Sequence, residues 1–424
     1  MATLYIHGGM QKTGSTAIQQ FLAKNRAALE EQGVAYPDFS DIWDPGTGGK
    51  NAYWLVRRLG TDEVRKEAVA RIAELAKTHE RIIISEERLW KHEFCKDDFW
   101  PFLAELFKPY NIVIKVVVYL RRQDEYLYSN WAQSIKSTVD VPFKTLSFSE
   151  YIEAGYHKKQ PLDYQKELGR IEKAIGRENV FVRTYERGQF TGEGHTLTSD
   201  FLKIVGLDDS GSYAVPEKIT NVSLKDAVLE AKRYLNRVPE FTRKVCLPQR
   251  LKSYDPYMNA LLKAQNQMRE EGLLKNRTGF PYHDRISIME QYTDSNAAVA
   301  KRYLGRNDGI LFYEPIPSDE DADKPFTTEE LIEVCGRVII ELGEELVKQQ
   351  NLNNKLRNRI AKASESNEKL RSRVAEKDKK IKSLQQELDS PIFKIAVNKI
   401  LKKFQKKKTS KQKKKDNFSE LRRN

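Results

Sequence analysis

Leu4-Tyr-Ile-His-Gly-Gly-Met-Gln-Lys-Thr-Gly-Ser-Thr-Ala-Ile-Gln-Gln-Phe-Leu22 decides the fold. It begins as a short apolar strand, turns through glycines and continues as an amphipathic helix. Backbone N–H groups gathered at a helix N-terminus make such a turn a cradle for an anion. An ATP-binding P-loop reads G-x-x-x-x-G-K-[ST]. Counted from Gly9, the sixth position is Gly14, but Ser15 stands where the lysine belongs, and the loop's lysine is Lys12. A plain strand-to-helix connection with no ligand is the bland alternative.

A second stretch narrows the choice. Lys115-Val-Val-Val-Tyr-Leu120 is a nearly continuous apolar run, as expected of a strand covered on both faces of a parallel sheet. Arg121 ends it, and Ser129 follows two helical turns later. A guanidinium can grip a phosphate with two parallel N–H bonds, and a hydroxyl can add a third. Taken singly, Arg121 also reads as an ion-pair partner of Asp124 or Glu125, and Ser129 as an ordinary helix residue.

Together the two stretches resemble the sulfotransferases that use 3′-phosphoadenosine-5′-phosphosulfate (PAPS), in particular bacterial glycan-type members. Further likeness lies in Lys24–Pro37, which resembles the family's first helix and the loop that follows, and in Ile82–Leu89, Asn179–Arg187, Asp200–Leu207, Asn221–Leu224 and Ser295–Leu304, covering about residues 3–315. The resemblance implies an α/β fold with a P-loop-like parallel sheet flanked by helices. It implies that Thr13, Gly14, Ser15 and Thr16 hold the 5′-phosphate through N–H and hydroxyl groups. Lys12 would stabilise the leaving oxygen, Arg121 and Ser129 would bind the 3′-phosphate, and no metal would be needed. The family's Ser-x-Glu-x-Leu pattern falls on Ser85, Glu87 and Leu89 and makes Glu87 the general base, with Glu86 and His92 as alternatives. Lys275-Asn-Arg-Thr-Gly279 stands where family members close a basic loop over the donor, but in a different residue order.

Strand-like runs at Leu4–His7, Arg81–Ser85, Ile112–Leu120 and Val180–Tyr185 alternate with helical patterns, the signature of a parallel sheet covered on both faces. Residues from about Leu224 to Leu311 read as helical, with a break at Pro281. The acidic, Pro-bounded stretch Ile316–Pro325 reads as a linker between a domain of residues 1–315 and a long helix over 326–390. In that helix Leu356, Ala363, Leu370, Lys377 and Leu384 interleave with Ile360, Asn367, Val374, Ile381 and Leu388 at coiled-coil spacing. This predicts a homodimer, with a solvated single helix as the alternative.

The formal charge of +13 is unevenly placed. Residues 391–424 hold 11 Lys and 2 Arg against one Asp and one Glu, a net +11, which leaves +2 for the preceding 390 residues. Phe393, Val397, Ile400, Leu401 and Phe404 share one helical face ahead of a lysine run. The pattern predicts a basic amphipathic tail on anionic lipid rather than on nucleic acid, because aromatic stacking residues are few. Three scattered cysteines, Cys95, Cys246 and Cys335, make no disulfide framework and point to a reducing compartment. With a strand starting at Leu4 and no run near the ~20 apolar residues of a spanning helix, the expectation is a cytoplasmic enzyme, peripheral on the inner face of the cell membrane. It would sulfate a hydroxyl of a carbohydrate or lipid-linked glycan. The competing readings are a P-loop small-molecule kinase and a non-enzymatic scaffold tethered to a membrane.

Overall fold

The computed structural model describes residues 1–42, 49–56, 61–91, 98–137, 141–207, 213–214, 223–238, 256–274, 277–318 and 324–420. His92, Cys95, Cys246, Lys275 and Asn276 lie outside the described residues. So do Asn221, Val222, the centre of the acidic linker and the Phe393 side chain.

Five parallel strands form one sheet. In chain order they are β1 (Thr3–His7), β2 (Val34–Ala35), β3 (Arg81–Ser85), β4 (Val113–Leu120) and β5 (Val180–Thr184), arranged β2-β3-β1-β4-β5. The register pairs Ile6 with Ile84 on one side and with Val116 on the other. Strand residues alternate between two cores, as a period of two requires. Leu4, Ile6, Ile82, Ile84, Val116 and Val118 pack on one face among Trp54, Phe99, Phe107 and Trp131. Tyr5, Ile83, Val117 and Tyr119 pack on the other against Ile18, Phe21, Leu22, Phe201 and Leu202.

The helices that position the site are α1 (Ser15–Lys24), α5 (Gln123–Lys136) and α8 (Leu197–Ile204), with α2 (Arg26–Glu30), α3 (Asp62–Leu75), α4 (Phe99–Phe107), α6 (Phe148–Glu153) and α7 (Tyr164–Ile175) around them. Helix α1 buries Ser15, Ile18, Gln19 and Leu22, one stripe at helical spacing. Helix α8 is fastened by Asp200, which accepts from Tyr119 Oη at 2.8 Å and from Arg183 and Thr191. The later part is helical: α9 (Asp226–Leu235), α10 (Pro256–Glu270), α11 (Tyr282–Glu290) and α12 (Thr293–Leu304).

Two differences from the sequence reading have local causes. Val34–Ala35 forms a two-residue strand paired to β3, where only a loop was expected. The first compact unit runs Met1–Leu342, past residue 315, and the second is Gly343–Asn424. Helix α13 (Thr328–Asp389) starts in the first unit because Val334 and Val338 are buried in its core. In the second unit nearly all helical residues whose burial is described are exposed, and α14 (Pro391–Glu420) continues as helix through the lysine run.

Candidate functional site

The site lies at the carboxyl edge of the sheet, where β1 stands between β3 and β4. In open α/β sheets that is where the strand order reverses and a crevice opens. The β1–α1 loop passes so close to β4 that a Cβ on Gly9 would sit 2.9 Å from the Tyr119 backbone nitrogen, so only glycine fits. Lys12 and Gly14 both take left-handed backbone, with φ of 68° and 76°. A Cβ on Gly14 would collide with the Leu197 side chain as well.

Thr13 Oγ1 donates to the Met10 carbonyl at 2.6 Å, and Ser15 Oγ to the same oxygen at 3.4 Å, which curls the loop. The Thr13 hydroxyl proton is committed to that carbonyl, which leaves the backbone N–H as the donor this residue can offer an anion. Among the described residues, no backbone N–H from Gln11 to Thr16 donates to a protein acceptor. A run of unfilled donors at a helix N-terminus fits a bound phosphate.

The second motif meets the first. Arg121 Nη1 donates to the Lys12 carbonyl at 3.0 Å, bridging 109 residues of sequence. Its Nε pairs with Glu125 at 3.1 Å, and its guanidinium stands 5.8 Å from the centre of the Tyr185 ring. Asp124 is not its partner: that carboxylate is fully buried between Arg122 (2.7 Å) and Arg285 (2.9 Å). Lys12 Nζ donates to Gln133 of α5 at 3.3 Å. Burial first, then the nearby charges of Lys136 and Arg121, lower the Lys12 ammonium to about 8. Ser129 is half-buried on α5, and its side chain makes no hydrogen bond among the described residues. Thr16 is half-buried in the first turn of α1.

A cleft of about 230 Å³ opens beside Arg121. Its lining includes Glu125, Tyr128, Lys225, Arg277, Thr278 and Arg285. Four cations line it, three of them also paired with carboxylates (Arg121 with Glu125, Arg277 with Glu330, Arg285 with Asp124), so an anion entering it would share them. Arg277 and Thr278 come from the sequence stretch that matched the family's closing loop only in part. Lys225 and Arg285, like Gln133 and Lys136 beside Lys12, carry no local sequence signal and are brought in by packing.

The third part of the site is the end of β3. Glu86 and Glu87 stand side by side with opposite tendencies. Burial pushes the Glu86 carboxyl up against the pull of Lys50, and its Oε2 has no hydrogen-bond partner. Burial would raise Glu87 as well, but Lys50 and Gln19 outweigh it and hold the carboxyl below its usual value. Lys50 Nζ lies 2.6 Å from Glu87 Oε1 and 3.7 Å from Glu86 Oε1, and Gln19 Nε2 donates to Glu87 Oε2 at 2.9 Å. Glu87 is therefore the ionised member, able to accept a proton. His7 Nδ1 is 2.8 Å from Ser85 Oγ, and burial lowers this ring to about 4 despite the opposing pull of Glu87. It is neutral at physiological pH and braces the floor beneath the two carboxylates.

No protein-family model matches the chain. It is 30% identical over 208 residues to an uncharacterized protein of Archaeoglobus fulgidus, a match that takes in 48% of this chain and 50% of that one. The chain thus spans about half the length of that relative. Among solved structures, a sulfotransferase from Alicyclobacillus acidocaldarius is similar at a TM-score of 0.33 and 15% identity, over 57% of this chain and 92% of the other.

Proposed function

We propose that the chain is a sulfotransferase that moves a sulfuryl group from PAPS to a hydroxyl of a carbohydrate or lipid-linked glycan. The observation that carries the reading is the Arg121–Lys12 bond. It brings the loop of unfilled N–H donors and the end of β4 to one place, beside a cationic cleft. A donor with phosphates at two corners of its ribose needs two such anion sites at once. The glycan assignment rests on the resemblance in sequence and on the tail described below.

In this reading the acceptor oxygen attacks sulfur, and the bond from sulfur to the bridging oxygen of the 5′-phosphate breaks. The protein's part is positioning and charge. Lys12 and the N–H groups of the loop receive the negative charge on the departing oxygen. Glu87 takes the proton of the acceptor hydroxyl. Lys50 keeps Glu87 ionised at the cost of some basicity. That pairing also counts against a kinase, since the charge a magnesium ion would need at the end of β3 is already matched by Lys50.

Donor binding tests the reading. At about a hundredfold excess over Kd, 3′-phosphoadenosine 5′-phosphate should stabilise the fold by about 2.7 kcal/mol. ATP with Mg²⁺ should not. Lys12→Ala should lower turnover with PAPS by a factor on the order of 10²–10³. Arg121→Ala and Ser129→Ala should weaken the bisphosphate while barely changing adenosine 5′-phosphosulfate, which lacks the 3′-phosphate. Protection by ATP instead, or equal losses for both ligands, would overturn the assignment.

A further inference from the structure

Helix α14 has an unpartnered face whose chemistry names its occupant. It is 30 residues long and begins at Pro391, which needs no N–H partner in a first turn. Ser390 closes the preceding helix by donating to Glu387, while its carbonyl accepts from Lys394 at 3.1 Å. Val397, Ile400, Leu401 and Phe404 fall on one face by their spacing, and all four are exposed, Phe404 to 67%. Residues 391–411 hold eight lysines and no acidic residue. Lys399, Lys402, Lys403 and Lys406 flank the apolar face or lie opposite it.

We infer that α14 lies along an anionic lipid surface, with this face in the acyl boundary and the lysines at the headgroups. An apolar face bordered by lysines matches an interface that is oily on one side and negatively charged at its rim. A nucleic acid would satisfy the lysines but leave Ile400, Leu401 and Phe404 in water. A second copy of α14 would cover the apolar face only by bringing two lysine rows together. No described helix is long and apolar enough to cross a membrane, so the geometry is parallel to the surface. This inference does not depend on the proposed reaction.

Co-sedimentation of the full chain with vesicles tests it, using phosphatidylcholine alone or phosphatidylcholine with about a third phosphatidylserine. The full chain should bind the acidic vesicles and leave the neutral ones. A variant carrying V397N, I400N, L401N and F404N should lose more than about tenfold in partition. A variant carrying K399Q, K402Q, K403Q and K406Q should lose a similar amount and much of its salt sensitivity. Both variants should keep the thermal unfolding of the parent, since these side chains are exposed. Unchanged binding by the apolar-face variant would overturn the inference. So would tighter retention on duplex DNA that this variant leaves intact.

Discussion

Lys12 is a cation kept where a cation is costly. Its folded value of about 8 lies below the 10.5 of an unperturbed lysine, so between these values the folded chain binds fewer protons than the unfolded one. The Lys12 contribution to stability without ligand therefore rises with pH from about 8 to about 10.5. A bound anion reverses the preference by supplying the missing countercharge. The affinity for 3′-phosphoadenosine 5′-phosphate should be nearly flat from pH 7 to about 8, then fall up to tenfold per unit above it. Lys12→Arg should bind with little pH dependence, because a guanidinium does not titrate there. Calorimetric titration across pH 7–10 checks both, and a parallel decline in the arginine variant would remove Lys12 from the anion site. Lys12 and Arg121 were legible in the sequence because each follows an apolar strand by a fixed, local spacing. Lys136, Gln133, Lys50 and Gln19 were not, since only the packing of α5 and the β3 end onto the cradle gives them a role.

The same division holds for whole elements. Strands β1, β3, β4 and β5 announce themselves as apolar runs because both faces of the sheet are covered. Strand β2 is two residues long, too short for any period, and exists because Val34 and Ala35 can complete the edge of β3. Helix α13 has no proline across its 62 residues, and beyond Leu342 its apolar positions are exposed, among them Leu370, Val374 and Ile381. Their heptad spacing predicts a second copy as the cover. The full chain should sediment as a dimer, and Val374→Asp with Ile381→Asp should return it to a monomer with unchanged unfolding of the first unit. Asn367→Ile should strengthen the association and admit higher oligomers, because a polar seam residue favours two strands at a cost in stability. A parent chain that is monomeric at micromolar concentration would end this reading.

At the scale of the molecule, the boundary drawn from composition at residue 315 differs from the one that packing draws at Leu342. Pro and acidic residues mark where the chain turns, but not where its core stops. A chain ending at Leu342 should unfold at the temperature of the full chain. One ending at Pro315 loses two buried valines, each contributing about 1.5–3 kcal/mol. It also loses the ion pairs of Arg337 with Glu271 and of Glu341 with Lys263. Its midpoint should fall by several degrees, measured by calorimetry. The segment so removed has a further consequence. Glu330, in the first turn of α13, exchanges hydrogen bonds with Thr327 as a capping box, and its other oxygen holds Arg277, whose guanidinium also lies over the Phe326 ring. Arg277 lines the cationic cleft. An anion arriving there and the carboxylate that starts the helix therefore contend for one guanidinium. Reciprocity makes that contest symmetric: whatever free energy the cap withholds from the ligand, the ligand withholds from the cap.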